Sequence, residues 1–140
     1  MLMKLIIATH GKMAEGLKDT MELIGGPKDN IYAMCFYVEG KSYSDEEINQ
    51  IFDKISEDEH LIICTDIQYG SVNQIFMKRI LKYSDKNITL LSGINLPLLL
   101  ELVSCQKEIT QDVINEIVES ASNQLTQVNC CLEKEEHDFF

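Results

Sequence analysis

Apolar positions along the chain follow two alternating rhythms. Short, mostly apolar runs occur at residues 2–8 (LMKLIIA), Ile31 to Val38 (IYAMCFYV), His60 to Thr65 (HLIICT) and Asn87 to Leu91 (NITLL). Runs of this length, rich in β-branched and aromatic residues, predict strands. Between them apolar residues recur every three or four positions. Met13, Leu17, Met21 and Ile24 are set among Lys12, Glu15, Lys18, Asp19 and Glu22, and Gly25-Gly26-Pro27 follows as a stop. That pattern predicts a helix with one apolar face, ended by glycine and then proline. Ile48, Ile51, Phe52 and Ile55 form the inner stripe of a second helix, capped by Ser42 or Ser44, with Asp45, Glu46 and Glu47 where the dipole favours anions. Ser71 is the expected N-cap of a third helix carrying Ile75, Phe76, Ile80 and Leu81. Gly93-Ile94-Asn95-Leu96-Pro97 turns into a short helix from Leu98 to Val103. Thr110 caps a last one whose apolar side is Val113, Ile114, Ile117, Val118, Ala121 and Leu125.

Alternation of strand and helix calls for an α/β fold: a parallel sheet with helices on both faces. Right-handed crossovers and the small size favour a flavodoxin-like order, 2-1-3-4, in a small, mainly parallel sheet. A four-stranded sheet leaves edges open, which invites pairing or docking across a dimer. Residues 1–128 read as one domain, large enough for a core without staples. Residues 129–140, with Glu133, Glu135, Glu136 and Asp138, read as an acidic, solvated tail.

Composition narrows the function classes. The formal net charge of −11 opposes nucleic-acid binding, which depends on neutralising phosphates, and suits a partner with a basic face. No apolar run approaches the roughly 18 residues that would span a bilayer, and no signal peptide is evident, so a cytoplasmic setting is expected. Five cysteines, an odd number without a C-x-x-C pair or histidines at ligand spacing, argue against a disulfide framework or a zinc site. Cys35 and Cys64 read as small buried hydrophobes, and Cys130-Cys131 have no assigned role. Neither G-x-x-x-x-G-K-[ST] nor G-x-G-x-x-G occurs, so no nucleotide cofactor is expected.

Candidate chemistry lies at the strand ends. In the 2-1-3-4 order the first and third strands are neighbours, about 4.8 Å apart, and their C-terminal ends flank the switch point where ligands gather in such sheets. His10 ends the first strand and Asp66 the third, 56 positions apart. A carboxylate on one ring nitrogen fixes the tautomer and frees the other lone pair to attack. Taken singly, His10 reads equally well as a turn histidine, and Asp66 as an Asx-turn residue. Around them, Gly11 allows close backbone approach. Gly70 and Ser71 open a helix whose amides and hydroxyl can face a tetrahedral anion, although Ser71 also serves as a simple cap. Thr9 and Asn73 are further candidates, Asn73 reading equally as an exposed first-turn residue.

At these residues the chain resembles the mannose-family IIA components of the bacterial sugar phosphotransferase system, over roughly residues 3–128. The resemblance rests on Ile6-Ile7-Ala8-Thr9-His10-Gly11, on Asp66-x-x-x-Gly70-Ser71-x-Asn73, and on Gly93-Ile94-Asn95-Leu96-Pro97. It implies that His10 accepts a phosphoryl group from HPr, through Nε2, and passes it to a IIB protein. Sugar uptake then runs through membrane IIC and IID components. It further implies that Asp66 orients His10, and that the chain is a homodimer of flavodoxin-like subunits.

The family loop reads Asp-x-x-Gly-Gly-Ser-Pro. Here Tyr69 replaces its first glycine and Val72 its proline. Tyr69 does not readily take positive φ, and Val72 lacks the preset φ of proline. Rival readings are a IIA-like regulatory module that works by binding alone, or a IIA-like subunit serving a dihydroxyacetone kinase. A phosphoglycerate-mutase-like enzyme would need arginine where Thr9 stands. A receiver domain would need acidic metal ligands after the first strand, and a flavodoxin a hydroxyl-rich loop at Gly11-Lys12-Met13. His60 reads as a surface residue, and His137 as part of the charged tail.

Overall fold

In the computed structural model, which describes residues 2–130, four strands alternate with five helices. They are β1 (Leu2–His10), α1 (Met13–Gly25), β2 (Ile31–Phe36), α2 (Asp45–Asp53), β3 (Glu59–Thr65), α3 (Ser71–Ile80), β4 (Ile88–Leu91), α4 (Leu96–Ser104) and α5 (Gln111–Ser122). The strands form one sheet in the order β2-β1-β3-β4, and every pairing is parallel. The α/β class and the 2-1-3-4 order are therefore as the sequence pattern requires. Most of the expected acidic tail, including Cys131 and His137, lies outside the described residues.

The alternation of side chains along each central strand divides the core into two layers. Leu5, Ile7, Cys35, Ile62 and Cys64 face α1, α4 and α5, where they meet Ala14, Met21, Leu98, Leu99, Leu102 and Ala121. Ile6, Ala8, Met34, Phe36, Leu61 and Ile63 face α2 and α3, where they meet Ile48, Phe52, Val72 and Phe76. Both faces of the sheet are covered, as continuous apolar strands demand.

Some local expectations are corrected. The buried face of α1 is built on Ala14 and Met21, with Leu17 packed against the core. Met13 and Ile24 are exposed, because the helix turns its Ala14 side to the sheet. Val118 is partly exposed on α5, and Leu125 is exposed beyond its end. β2 stops at Phe36, two residues short of the apolar run, because Tyr37 adopts a left-handed backbone (φ 61°) and Val38 bridges to Lys41 around a tight turn. Ser44, rather than Ser42, caps α2, with a reciprocal bond from Glu47. His60 is buried, not superficial: its Nε2 lies 2.8 Å from Thr89 Oγ1 across the β3–β4 edge.

The Asn-Leu-Pro segment has a structural role. Asn95 Oδ1 accepts the Leu98 N–H (2.9 Å) to start α4. Its Nδ2 donates to the Ala121 carbonyl (2.8 Å), clamping α5 onto the same helix.

Candidate functional site

Parallel registers bring Ala8 level with Thr65 on one side and with Met34 on the other. The last residue of β1 and the first residue after β3 therefore emerge together at the carboxyl edge of the sheet. Asp66 Oδ2 accepts the backbone N–H of His10 (2.9 Å) and lies 2.9 Å from His10 Nδ1. Its other oxygen, Oδ1, accepts the Ile67 N–H (3.1 Å). The carboxylate thus turns the loop and holds the imidazole at once.

Burial pushes the Asp66 carboxyl upward, but the two bonds from His10 and the attraction of its ring outweigh this, so the carboxyl sits below its ordinary value. An ionised carboxylate only accepts hydrogen bonds. In the neutral ring the proton therefore sits on Nδ1, and Nε2 carries the lone pair. The Asp66 side chain is only 10% exposed, whereas that of His10 is 39% exposed. The carboxylate is shielded while the ring stays open to solvent.

Nε2 faces Ser71 Oγ at 3.1 Å. Ser71 is the first residue of α3 and does not cap it; Gly70, in extended backbone (φ −65°, ψ 167°), takes the N-cap position. Because its hydroxyl is not used for capping, it is available to the ring. The N–H groups of Ser71 to Asn73 have no intrahelical acceptor and carry the positive end of the helix dipole. Gly70 N–H is already bonded to the Ile67 carbonyl (3.1 Å). What Gly70 supplies is proximity: a Cβ there would meet Ile67 O at 3.2 Å and stand 3.6 Å from His10 Cε1.

Gly11 (φ 60°) supplies a left-handed turn out of β1, with open space where a Cβ would lie. Its value is backbone freedom, not the close approach expected from the sequence. Thr9 is wholly buried, and its hydroxyl accepts the Ala14 N–H (2.8 Å), fixing the entry to α1 from beneath the site. Asn73 is buried rather than exposed. It accepts the Tyr69 N–H (3.1 Å) and donates to Thr65 Oγ1 (2.9 Å), tying the β3–α3 loop to the strand before it.

Among the described residues two non-glycine residues have positive φ, Tyr37 (61°) and Tyr69 (60°). One stands in each loop flanking His10. A left-handed backbone costs a residue with a Cβ roughly 1–2 kcal/mol, so the surrounding bonds must hold these loops in place. At Tyr69 the bonds are the one from its N–H to Asn73 and one from Gln74 Nε2 to its carbonyl (2.7 Å). The expectation that tyrosine would avoid this geometry is overturned. The loop keeps the left-handed turn, and the Tyr69 ring stays largely exposed.

Tyr37 is the site residue that the sequence pattern missed, because its β-forming character joined it to β2. The Gly40 turn just beyond it was the available signal. Its ring centroid lies 5.4 Å from that of His10, and its hydroxyl donates to Ser71 Oγ (3.0 Å).

Elsewhere, Cys35 and Cys64 are buried, as expected, and burial raises the Cys64 thiol to about 12. Among the described residues no group of three His, Cys, Asp or Glu side chains is placed to hold a metal ion. None of the described helices is long and apolar enough to cross a membrane.

A family model described as "PTS system fructose IIA component" (EIIA-man) matches residues 4–122. The chain is 28% identical over 129 residues to the fructose-specific EIIA component of the phosphotransferase system of Bacillus subtilis, covering 91% of this chain and 86% of that one. It is also 28% identical over 128 residues to a sorbose-specific EIIA component from Klebsiella pneumoniae, with 91% and 88% covered. Among solved structures, a Klebsiella pneumoniae protein described as a phosphoenolpyruvate-dependent sugar phosphotransferase system permease superposes with a TM-score of 0.81. It shares 33% identity, over 94% of this chain and 95% of that one.

Proposed function

The chain belongs to the EIIA-man family of sugar phosphotransferase IIA components, and on that premise we propose that His10 carries the phosphoryl group. Its donor is phosphorylated HPr and its acceptor a IIB component, serving sugar uptake through membrane IIC and IID components. The observation that carries this reading is the division of labour on one ring: Nδ1 against a shielded carboxylate, Nε2 toward solvent at a helix N-terminus.

The chemistry follows from that arrangement. The Nε2 lone pair attacks phosphorus, and the bond from phosphorus to the donor breaks with its electron pair returning to the donor. The Nδ1 proton stays where it is, so the ring becomes cationic, and Asp66 stabilises that charge. In this reading the α3 N-terminus and the Ser71 hydroxyl meet the equatorial phosphoryl oxygens. Gly11 and Gly70 give the loops the shape that leaves this space open, while Thr9 and Asn73 brace them from below. Onward transfer to IIB is the same displacement in reverse.

The protein works in the cytoplasm, and the net charge of −11 favours partners with basic docking faces. A homodimer fits the open side of β4. Among the described residues no strand pairs with its outer edge, and Met77, Ile80, Leu81, Ile88 and Leu90 line a shallow groove of about 430 Å³ beside it.

The test is incubation with phosphoenolpyruvate, enzyme I and HPr. One phosphoryl group per chain is expected, labile in acid and stable in base, and absent from a folded His10→Ala variant. Undiminished labelling of that variant would reject His10 as acceptor. A wild-type chain that takes no label would favour a regulatory, binding-only module.

A further inference from the structure

We infer that Tyr37 is a positioning residue for the His10 acceptor, acting through the Ser71 hydroxyl. The inference rests on the reading of His10 as phosphoryl acceptor and adds a residue to it. Three side chains, from the end of β1, the loop after β2 and the start of α3, form one hydrogen-bonded chain: Tyr37 Oη donates to Ser71 Oγ at 3.0 Å, and Ser71 Oγ lies 3.1 Å from His10 Nε2.

A serine hydroxyl has one proton and two lone pairs. With the tyrosine proton on one lone pair, the serine proton has to point elsewhere, and Nε2 is the acceptor in reach. Nε2 is free to accept because Asp66 holds the ring proton on Nδ1. Tyr37 therefore sets Ser71 as a donor aimed at the nitrogen that makes the new bond. When the Nε2 lone pair is committed to phosphorus, the serine proton swings to a phosphoryl oxygen. Tyr37 still occupies the oxygen behind it, so Ser71 meets the incoming oxyanion with a proton and not with a lone pair. Donors oriented before the charge arrives need no reorganisation when it does.

The backbone supports a placed role for this tyrosine. Tyr37 holds a left-handed conformation that a residue with a Cβ rarely adopts, and its side chain is largely exposed, so core packing does not account for its position. Its ring lies 5.4 Å from the His10 ring and 6.3 Å from Phe36. The left-handed turn is what carries the phenol back over the end of β1 instead of onward along β2.

Tyr37→Phe keeps the ring and the Cβ and removes only the hydroxyl. Two measurements test the inference. In the first, long-range ¹H–¹⁵N NMR of the unphosphorylated protein, the Nε2 signal of His10 is expected to move downfield in Tyr37→Phe. It should move further in Ser71→Ala, as Nε2 loses its donor. In the second, quench-flow transfer from phospho-HPr, Tyr37→Phe should lower the second-order rate about three- to tenfold, the worth of one ordinary hydrogen bond. In a Ser71→Ala background the same change should have no further effect.

An unchanged Nε2 signal together with an unchanged rate would overturn the inference. So would Tyr37→Phe and Ser71→Ala effects that multiply independently, because Tyr37 would then act without Ser71. A wild-type chain that takes no phosphoryl group, while its Nε2 signal still responds to Tyr37→Phe, would reject the acceptor reading and the role in transfer with it.

Discussion

Asp66→Asn separates charge from shape at the site. Asparagine is nearly isosteric, and its carbonyl oxygen can still accept from the His10 backbone N–H and from Nδ1–H. What is lost is the negative charge, together with the second oxygen, Oδ1, that accepts the Ile67 N–H at 3.1 Å. In the free protein that charge faces a neutral ring and strengthens hydrogen bonds already made at 2.9 Å. On the reading of His10 as phosphoryl acceptor, the phosphorylated ring is a cation facing that charge. Two unit charges about 4 Å apart at an effective dielectric near 20 attract by about 4 kcal/mol. The carboxylate is shielded, but the ring is 39% exposed, and solvent on that side reduces the figure to about 2–3 kcal/mol. At 1.36 kcal/mol per factor of ten, Asp66→Asn should slow transfer from phospho-HPr about 30- to 160-fold. The assay is rapid-quench measurement of ³²P transfer under conditions where the variant's circular dichroism and urea midpoint show it folded. A rate within threefold of wild type would refute the reasoning. It would leave Asp66 as a turn residue, held by its bond to the Ile67 N–H.

Other expectations follow from the same geometry. Burial lowers His60 from its ordinary value of 6.5, against the opposing pull of the Ile109 backbone. As pH falls through that value the unfolded chain takes up a proton that the folded chain refuses. Stability should therefore decline below about pH 6.5 and level off below the folded-state value, with a slope no steeper than about 1.4 kcal/mol per pH unit. His60→Gln should flatten that part of a urea-denaturation series, and an unaltered slope would assign the effect elsewhere. Tyr69→Gly should remove the left-handed strain at φ 60°. After the entropy that glycine adds to the unfolded chain, it should stabilise the fold by about 0.5–1 kcal/mol. A loss of stability would show that the exposed ring makes compensating contacts.

The fold and the central pair of the site were legible in the sequence for one reason: both depend on patterns that local burial enforces. Four apolar runs separated by amphipathic stretches admit few topologies, and the 2-1-3-4 order puts residues 10 and 66 at adjoining strand ends before any side chain is placed. Its failures cluster where a long-range bond decides the direction of the backbone. Tyr37 looks like the continuation of β2, and nothing local reveals that it will turn left-handed toward Ser71, 34 residues away. Ser71 looks like a cap, and only Gly70 taking that position leaves the hydroxyl for Nε2. Thr9 and Asn73 look like site residues because they adjoin it in sequence. A strand alternates its faces, so the neighbour of an exposed residue at a strand end points inward; Thr9 does so beside His10, and its hydroxyl binds backbone. Asn73 is drawn under the loop by bonds to Tyr69 and Thr65. His60 reads as a surface residue because it starts a strand after an acidic helix end, yet Thr89 on β4 supplies its partner inside. A sequence therefore reveals which residues reach a strand's end, while the hydrogen bonds arriving from other loops decide which of them face the ligand. For this chain the deciding bonds run through Asp66 and Ser71, so variants at those two positions discriminate most sharply between a phosphoryl carrier and a fold that merely resembles one.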